Sequence, residues 1–321
     1  MYQIKQQPED FIVKEISTVQ LGIEGKYSYF LMKKRNYNTF EAVQQIADLL
    51  RIPPKKIGYA GNKDKKAVTE QMISIEGIPK ERIEQIKTNN MQMKDLSLEY
   101  KGSGNTRICL GDLKGNAFEI TARNIDKKPK LKKKFINYFG EQRFSTNNAE
   151  IGKAIVMKDF KKAVELILCG TGRAEERMQE YLGKNTNNYV GALKTTHKKI
   201  LILYIHAYQS LLWNRTVQKH SSEKNEMTEV PIIGFGIATP DKCTDELMQS
   251  EGIKPRDFVI KQIPELSSEG ATRQAVAEAS EVSVSKLEDD ELNPGMKKTT
   301  IKFILPKGSY ATEYVKQLFI A

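Results

Sequence analysis

A mixed α and β architecture, with one domain interrupted by another, is what the sequence predicts, and three observations predict it. The chain has 321 residues, enough for two domains or for one domain carrying a large insertion. Runs with period-two alternation are interleaved with runs of helical spacing. Charge is unevenly placed: residues 1–147 hold 27 Lys+Arg against 17 Asp+Glu, residues 297–321 hold 5 against 1, and residues 148–296 hold 19 against 22. Two basic ends around a neutral to acidic middle suggest one polyanion-binding domain, 1–147 plus 297–321, split by an insertion over 148–296. Nucleic acid is the partner that such a field fits.

The elements follow in order. Phe11, Val13 and Ile16 alternate after Pro8 and predict an opening strand. Residues 27–32 form a second, which Lys33 to Arg35 extend with a basic end. Asn38 or Thr39 can cap a helix bearing Phe40, Val43, Ile46, Ala47 and Leu50 at helical spacing, and Pro53 and Pro54 end it. Residues 57–60 and 67–75 read as strands about a glycine-bearing turn. A weak helix over 80–87 is followed by polar, strand-like sequence to Leu110. There Gly102 to Gly104 read as a turn, because no Gly-Lys-Ser/Thr follows them to make a phosphate loop.

NAFEITAR, 116–123, alternates cleanly as a half-buried strand, and KKPKLKKK, 127–134, is the densest charge run. That run suits either a solvated face or a rail for phosphates. FINYFGEQRF, 135–144, mixes aromatics with Gln142 and Arg143. Helical spacing then dominates, over 151–157, 160–168, 173–182 and most strongly 200–217. In the last, Leu203, Tyr204, Ala207, Tyr208, Leu211 and Leu212 share a face, with Gln209 and Asn214 off it. Strand sequence at 231–238, an acidic helix near 245–250, strands at 282–286 and 299–305, and a helix at 313–319 complete the chain.

Several function classes are excluded or weakened. No window approaches the roughly twenty apolar residues of a membrane span, and the N-terminus lacks a signal-peptide pattern, so a soluble, cytoplasmic protein is expected. Cys109, Cys169 and Cys243 are far apart and not spaced with histidines as metal ligands, which argues against a disulfide framework and a zinc site. His197, His206 and His220 are the only histidines, so a nucleophile–histidine machine has few parts to use.

The chemistry-bearing stretch is GNKDKKAVTEQ, 61–71. Asp64 stands between Lys63 and the pair Lys65 and Lys66. Three cations within two residues should keep a carboxylate ionised, as a group approaching an anionic substrate requires. A charged surface turn would look the same in this window alone.

Taken with PEDFIVKEI before it, KGNAF and NYFGEQRF after it, and LPKGSYAT near the end, the stretch resembles the TruD family of tRNA pseudouridine synthases. Five windows match in order across nearly the whole chain. The resemblance implies an α+β pseudouridine synthase fold, a mixed and largely antiparallel sheet with flanking helices, interrupted by an inserted α/β domain. It assigns 1–147 plus 297–321 to catalysis and 148–296 to the family's insertion. It implies isomerisation of uridine in tRNA, at position thirteen in the family, with other structured RNA also open. Asp64 would be the catalytic aspartate, with Lys63 beside it. Asn116 would bond near the carboxylate, and Phe118, Phe11 and Tyr310 would surround the base. Lys5 matches a basic position ahead of PEDF, Gln71 closes and braces the loop, and Arg143 belongs to a QRF motif that departs from the family where Ser145 replaces glycine.

Exchanging the C1′–N1 bond for a C1′–C5 bond calls for no cofactor and no metal, and a carboxylate can serve as nucleophile or as base. A non-catalytic RNA-binding or RNA-remodelling protein would share the charge pattern without needing Asp64. A magnesium-dependent nuclease would gather more acids than Asp64 and Glu70.

Overall fold

The computed structural model describes residues 2–89, 92–222, 228–237 and 241–320. They form two compact units, the first from Met1–Phe135 with Ala277–Ala321 and the second from Ile136–Val276. In chain order the first has Phe11–Ser17 (β1), Tyr27–Arg35 (β2), Thr39–Leu50 (α1), Ile57–Tyr59 (β3), Val68–Glu76 (β4), Lys80–Asn89 (α2), Gln92–Met93 (β5), Leu96–Gly104 (β6) and Leu113–Ile125 (β7). After Lys134–Ile136 (β8), the second unit holds Asn148–Val156 (α3), Phe160–Leu168 (α4), Arg173–Lys184 (α5), Tyr189–Lys194 (α6), Lys198–Ser222 (α7), Glu229–Ile232 (β9), Lys242–Glu251 (α8) and Ala271–Gln274 (β10). Val276–Glu278 (β11), Ser280–Val284 (β12), Glu288–Asp289 (β13), Lys297–Pro306 (β14) and Ala311–Phe319 (α9) end the chain.

A ten-stranded sheet carries the first unit, ordered β12-β14-β7-β1-β4-β2-β6-β5, with β13 on β14 and β3 on β4. Pairing is antiparallel except between β1 and β4. Register explains the core. Val13, Phe118 and Phe303 sit side by side on three adjacent strands, so their side chains share a face. Tyr314, Val315 and Leu318 of α9 close over that face. On the neighbouring strands Phe30, Met32, Ile73 and Ile75 pack against Val43, Ile46, Ala47 and Leu50 of α1.

The second unit is mainly helical, with β9 and β10 as a small antiparallel pair. Its core gathers Ile155, Ala163, Ile167, Met178, Leu193, Ile205, Tyr208 and Phe258. Helix α7 buries Ala207, Tyr208 and Leu212 of the face that spacing predicts, but the buried stripe is shifted from it. Leu203 is 48 % exposed, whereas Ile205, Gln209 and Trp213 are buried. The polar members are inward because they have partners: Gln209 Nε2 donates to Ile233 O at 2.8 Å and Trp213 Nε1 to Val230 O at 3.1 Å.

Other departures have equally local causes. Phe40 is 68 % exposed, outside the stripe its helix buries. Gly102 to Gly104 end strand β6 rather than forming a turn. A Cβ at Gly104 would lie 2.8 Å from the Tyr29 ring, so glycine there serves close packing inside the sheet. The strand expected at 231–238 is shorter, and Ala238 lies outside the described residues.

The unit boundaries also differ from the charge-derived ones, because β12 and β13 pair with β14 and bring 280–289 into the first unit. Counted by unit, the first has 32 Lys+Arg against 23 Asp+Glu and the second 19 against 17. The first unit remains the basic one, less steeply than residue ranges suggested. No described helix is long and apolar enough to cross a membrane.

One buried ion cluster fixes the recovered acids. Arg123 donates to Asp10 Oδ1 at 2.9 Å and Asp290 Oδ1 at 2.8 Å, with all three side chains at most 2 % exposed. Burial pushes the Asp290 pKa up, but bonds from Asn124 N, Asn293, Leu292 N and Arg123 outweigh it and hold the value down to about 2. A carboxyl lowered on folding stabilises fully above its unfolded pKa and loses that contribution as pH falls through about 2. Arg123→Met should cost about 3–5 kcal/mol, because it strands two buried carboxylates. Urea unfolding followed by hydrogen exchange in β7 and β14 would read the loss, and an unchanged midpoint would contradict it.

Candidate active site

Asp64 lies in the loop between β3 and β4, which has no ladder of its own. Surrounding groups therefore set its shape. Asn38 caps α1: its side chain accepts from Glu41 N at 2.7 Å, and Glu41 Oε2 accepts from Asn38 N at 3.1 Å. That leaves the Thr39 hydroxyl for the loop. It accepts from Lys63 N at 2.9 Å and donates to Gln71 Oε1 at 3.2 Å, while Gln71 Nε2 donates to Gly61 O at 3.0 Å. Gln71 is wholly buried, so it holds the loop from within.

Two ammonium groups lie under the same loop. Lys34, 2 % exposed, donates to the carbonyls of Tyr37 at 2.6 Å, Asp64 at 3.0 Å and Lys63 at 3.4 Å. Burial pulls its pKa down to about 8, and the charge of Asp64 opposes that pull. Lys63 turns inward to Glu15 Oε2 at 2.5 Å, the two side chains being 6 % and 0 % exposed. Burial pushes the Glu15 pKa up, with Lys63 acting against it.

The lysines flanking Asp64 in sequence therefore do not ring it. Lys63 serves Glu15, and Lys65 meets Glu41 at 3.0 Å. The cation on the Asp64 carboxylate comes from Lys5, at 2.5 Å from Oδ2. Lys5 reaches it with φ at +60°, a left-handed conformation that side-chain-bearing residues adopt uncommonly. Its ammonium also lies 4.0 Å from the centre of the Phe11 ring.

From Lys5 the contacts run into the sheet. Phe11 meets Phe118 edge-on at 6.2 Å, and Phe118 stacks on Phe303 at 5.3 Å. Phe11 is 3 % and Phe118 9 % exposed, so both are walls rather than open stacking faces. Asn116 sits opposite Glu15 in register and shares its face. A Cβ at Gly115 would come 2.3 Å from Leu305 O, so the glycine of KGNAF lets β14 close beside Asn116. Asn116 Oδ1 is buried without a hydrogen-bond partner among the described residues, as is Ser309 Oγ. Tyr310 follows Ser309 at the N-cap of α9, half-buried.

Lys5, Phe11, Lys63, Asp64, Gln71, Asn116 and Phe118 thus meet around one loop and three adjacent strands, β7, β1 and β4, with Tyr310 opening the helix packed on them. Arg143 belongs to the second unit, with its guanidinium 5.1 Å from the centre of the Phe139 ring. Arg273 lies over Phe139 at 4.2 Å, and Asn214 bonds both the N–H and the carbonyl of Phe139 at 2.9 Å. Lys34, Glu15 and Thr39 were not picked out from sequence. Alternation held the signal for two of them: Lys34 follows Met32 on the inward face of β2, and Glu15 follows Phe11 and Val13 on that of β1.

Spacing also separated Cys243 from the histidines, yet the fold brings His220, Asp241 and Cys243 within 4.8 Å of one another. Asp241 is already engaged there. Its Oδ1 lies 2.8 Å from His220 Nε2 and accepts from Thr244 N at 3.1 Å, and its Oδ2 accepts from Thr244 Oγ1 at 2.5 Å. Capping of α8 accounts for this geometry.

The family model described as tRNA pseudouridine synthase D (TruD) matches residues 2–177, 170–232 and 220–318. A tRNA pseudouridine synthase D from Aquifex aeolicus is 30 % identical, over 98 % of this chain and 97 % of its own. A crystal structure from Methanosarcina mazei that carries the name tRNA pseudouridine synthase D (TruD) superposes with a TM-score of 0.76 at 26 % identity, over 99 % of this chain and 93 % of that one.

Lys34→Met should free the Asp64 loop. Three buried or part-buried carbonyls would lose a shared donor, at a cost of about 1–3 kcal/mol. Hydrogen exchange of the amides of residues 61–66 should quicken; unchanged protection would mean that Lys34 does not hold the loop.

Proposed function

Because the chain belongs to the tRNA pseudouridine synthase D (TruD) family, we propose that its conversion of uridine to pseudouridine in tRNA turns on Asp64. One observation carries the assignment: Asp64 is the carboxylate of a loop pinned from below by Lys34, Thr39 and Gln71, and its acid group alone is left turned to a half-exposed cation, Lys5. Its side chain keeps 32 % of its surface open, enough to meet a substrate.

The reaction breaks C1′–N1, turns the uracil and joins C1′ to C5. N1 leaves with the bonding pair and gains a proton, and C5 gives one up, so composition and oxidation state are unchanged. Asp64 acts on the sugar, either adding to C1′ or removing a sugar proton. Lys5 orients the carboxylate and balances its charge as phosphates approach. The uridine must leave its stack to enter, at a cost of a few kcal/mol. Asn116 Oδ1 and Ser309 Oγ are polar atoms still to be satisfied, and they suit the N–H and carbonyl edges of an extruded base, with Tyr310 beside them. Neither a cofactor nor a metal is called for by this bond exchange. The family's position thirteen in tRNA is the target that this reading adopts, and the cytoplasm its place of work.

Asp64→Asn should keep tRNA affinity and yield no pseudouridine in a transcript mapped base by base with EDTA present; detectable turnover would remove Asp64 from the role. Lys5→Met should lower kcat about a hundredfold with little change in KM, the effect expected of a displaced reacting group. In the wild type, kcat should fall as pH rises through about 8, where Lys34 loses its charge beside Asp64. With Lys34→Arg, which stays protonated, the alkaline limb should vanish; a limb that persists would assign it to another group.

A further inference from the structure

The run 127–134 holds six lysines, Lys127, Lys128, Lys130, Lys132, Lys133 and Lys134, and all six are exposed. None of them has an ion-pair partner among the described residues. Elsewhere in the first unit some exposed and half-exposed lysines are matched with acids, as Lys26 is with Glu76, Lys33 with Glu70, Lys65 with Glu41, Lys297 with Asp289 and Lys302 with Glu119. Others, such as Lys14 and Lys114, have none among the described residues, but they stand singly, whereas here six fall within one short run. Like charges left together without acids repel one another, so such a run costs stability in the free protein.

The run is nonetheless a fixed strap. Lys130 N donates to Leu318 O at 3.0 Å, the Tyr314 hydroxyl donates to Lys132 O at 2.7 Å, and Ala279 N donates to Lys133 O at 2.7 Å. Pro129 and Phe135 are buried at its two ends, Phe135 against Tyr314 at 4.9 Å. The backbone is thus tied to α9 and to Ala279 while all six lysines are exposed. Tyr310 is the N-cap of α9, and Leu318 of that helix lies about 12 Å further along at 1.5 Å per residue. The strap and the proposed uridine pocket therefore share one rigid element.

We propose that the 127–134 strap is a docking rail for the sugar-phosphate backbone of the RNA, engaging phosphates that flank the extruded uridine. This rests on the reading of tRNA as substrate and adds the surface that holds it. Ammonium groups on a pinned backbone give affinity and register without reading bases. An acidic membrane surface is disfavoured, because Leu131 alone supplies exposed apolar area and the strap forms no amphipathic helix.

The test uses the full chain with all six lysines changed to Gln, and two half-variants, at 127, 128 and 130 and at 132, 133 and 134. Binding of an unmodified tRNA transcript is measured over a range of KCl concentrations. The slope of log Kd against log salt should fall by about 2–4 in the six-site variant, since each phosphate contact contributes roughly 0.7–0.9. Each half-variant should lose part of that, KM should rise, and kcat at saturating tRNA should hold. An unchanged slope in correctly folded half-variants would overturn the rail. So would wild-type binding to phosphatidylserine vesicles that the six-site variant loses while its tRNA slope is unaltered. Asp64→Asn in the same titration separates the two readings: its slope should match the wild type, and any turnover by it would sink the Asp64 assignment and leave the rail standing.

Discussion

Two buried lysines govern the shape of the Asp64 loop. An ammonium taken out of water must be met by carbonyls or carboxylates, or its burial costs several kcal/mol. Lys34 satisfies that demand with three carbonyls, two of them from Lys63 and Asp64 themselves. Lys63 satisfies it with Glu15. The loop is therefore folded down onto its cations, and its conformation is set by charges that never face solvent. Asp64 keeps its carboxylate outward because both inward cations are already matched.

In the proposed reading, this division separates support from reactivity. The groups that fix the backbone, Lys34, Lys63, Thr39 and Gln71, have their main polar bonds made within the protein. Lys5 differs. It is 21 % exposed, comes from a separate segment and adopts a left-handed backbone to reach Asp64. A cation of that kind can follow a carboxylate whose charge changes during a reaction, whereas an ammonium tied to three carbonyls cannot. The same logic explains why Phe11 and Phe118 are buried in the free protein: they pack together β1, the strand that follows the Lys5 segment, and β7, the strand that carries Asn116.

Much of this was legible in the sequence, and the failures share a cause. Period-two alternation located β1, β4, β7 and β14, and the spacing of GNKDKKAVTEQ placed Asp64 on a loop between strands. What spacing along a chain cannot give is the partner of a charge. Lys5 is 59 positions from Asp64, and Lys63 is 48 from Glu15, so counting cations around Asp64 chose the wrong lysines. Charge blocks likewise misplaced the unit boundary, because the acids at 288–291 belong with Arg123, Lys297 and Lys298 through ion pairs and strand pairing. Phe40 and Leu203 failed for a related reason: periodicity names a stripe, and only the neighbouring elements decide where the buried stripe ends.

NYFGEQRF shows why motif and site need not coincide. Its aromatics beside Arg143 suggest a surface for RNA bases. In the fold, Phe139 is 7 % exposed, lies under the guanidinium of Arg273 and edge-on to Trp213, and has its backbone bonded by Asn214 of the long helix. A ring whose face is already covered by a cation offers little to a base. Asn214, which lies off the predicted face of α7, is the residue that holds this segment, so one helix reads as both core and bracket. The aromatic composition of the segment is then explained by packing within the second unit, and in the proposed reading the burden of meeting RNA shifts to the Asp64 carboxylate and the exposed lysines of 127–134, with the buried polar atoms of Asn116 and Ser309 left for an extruded base.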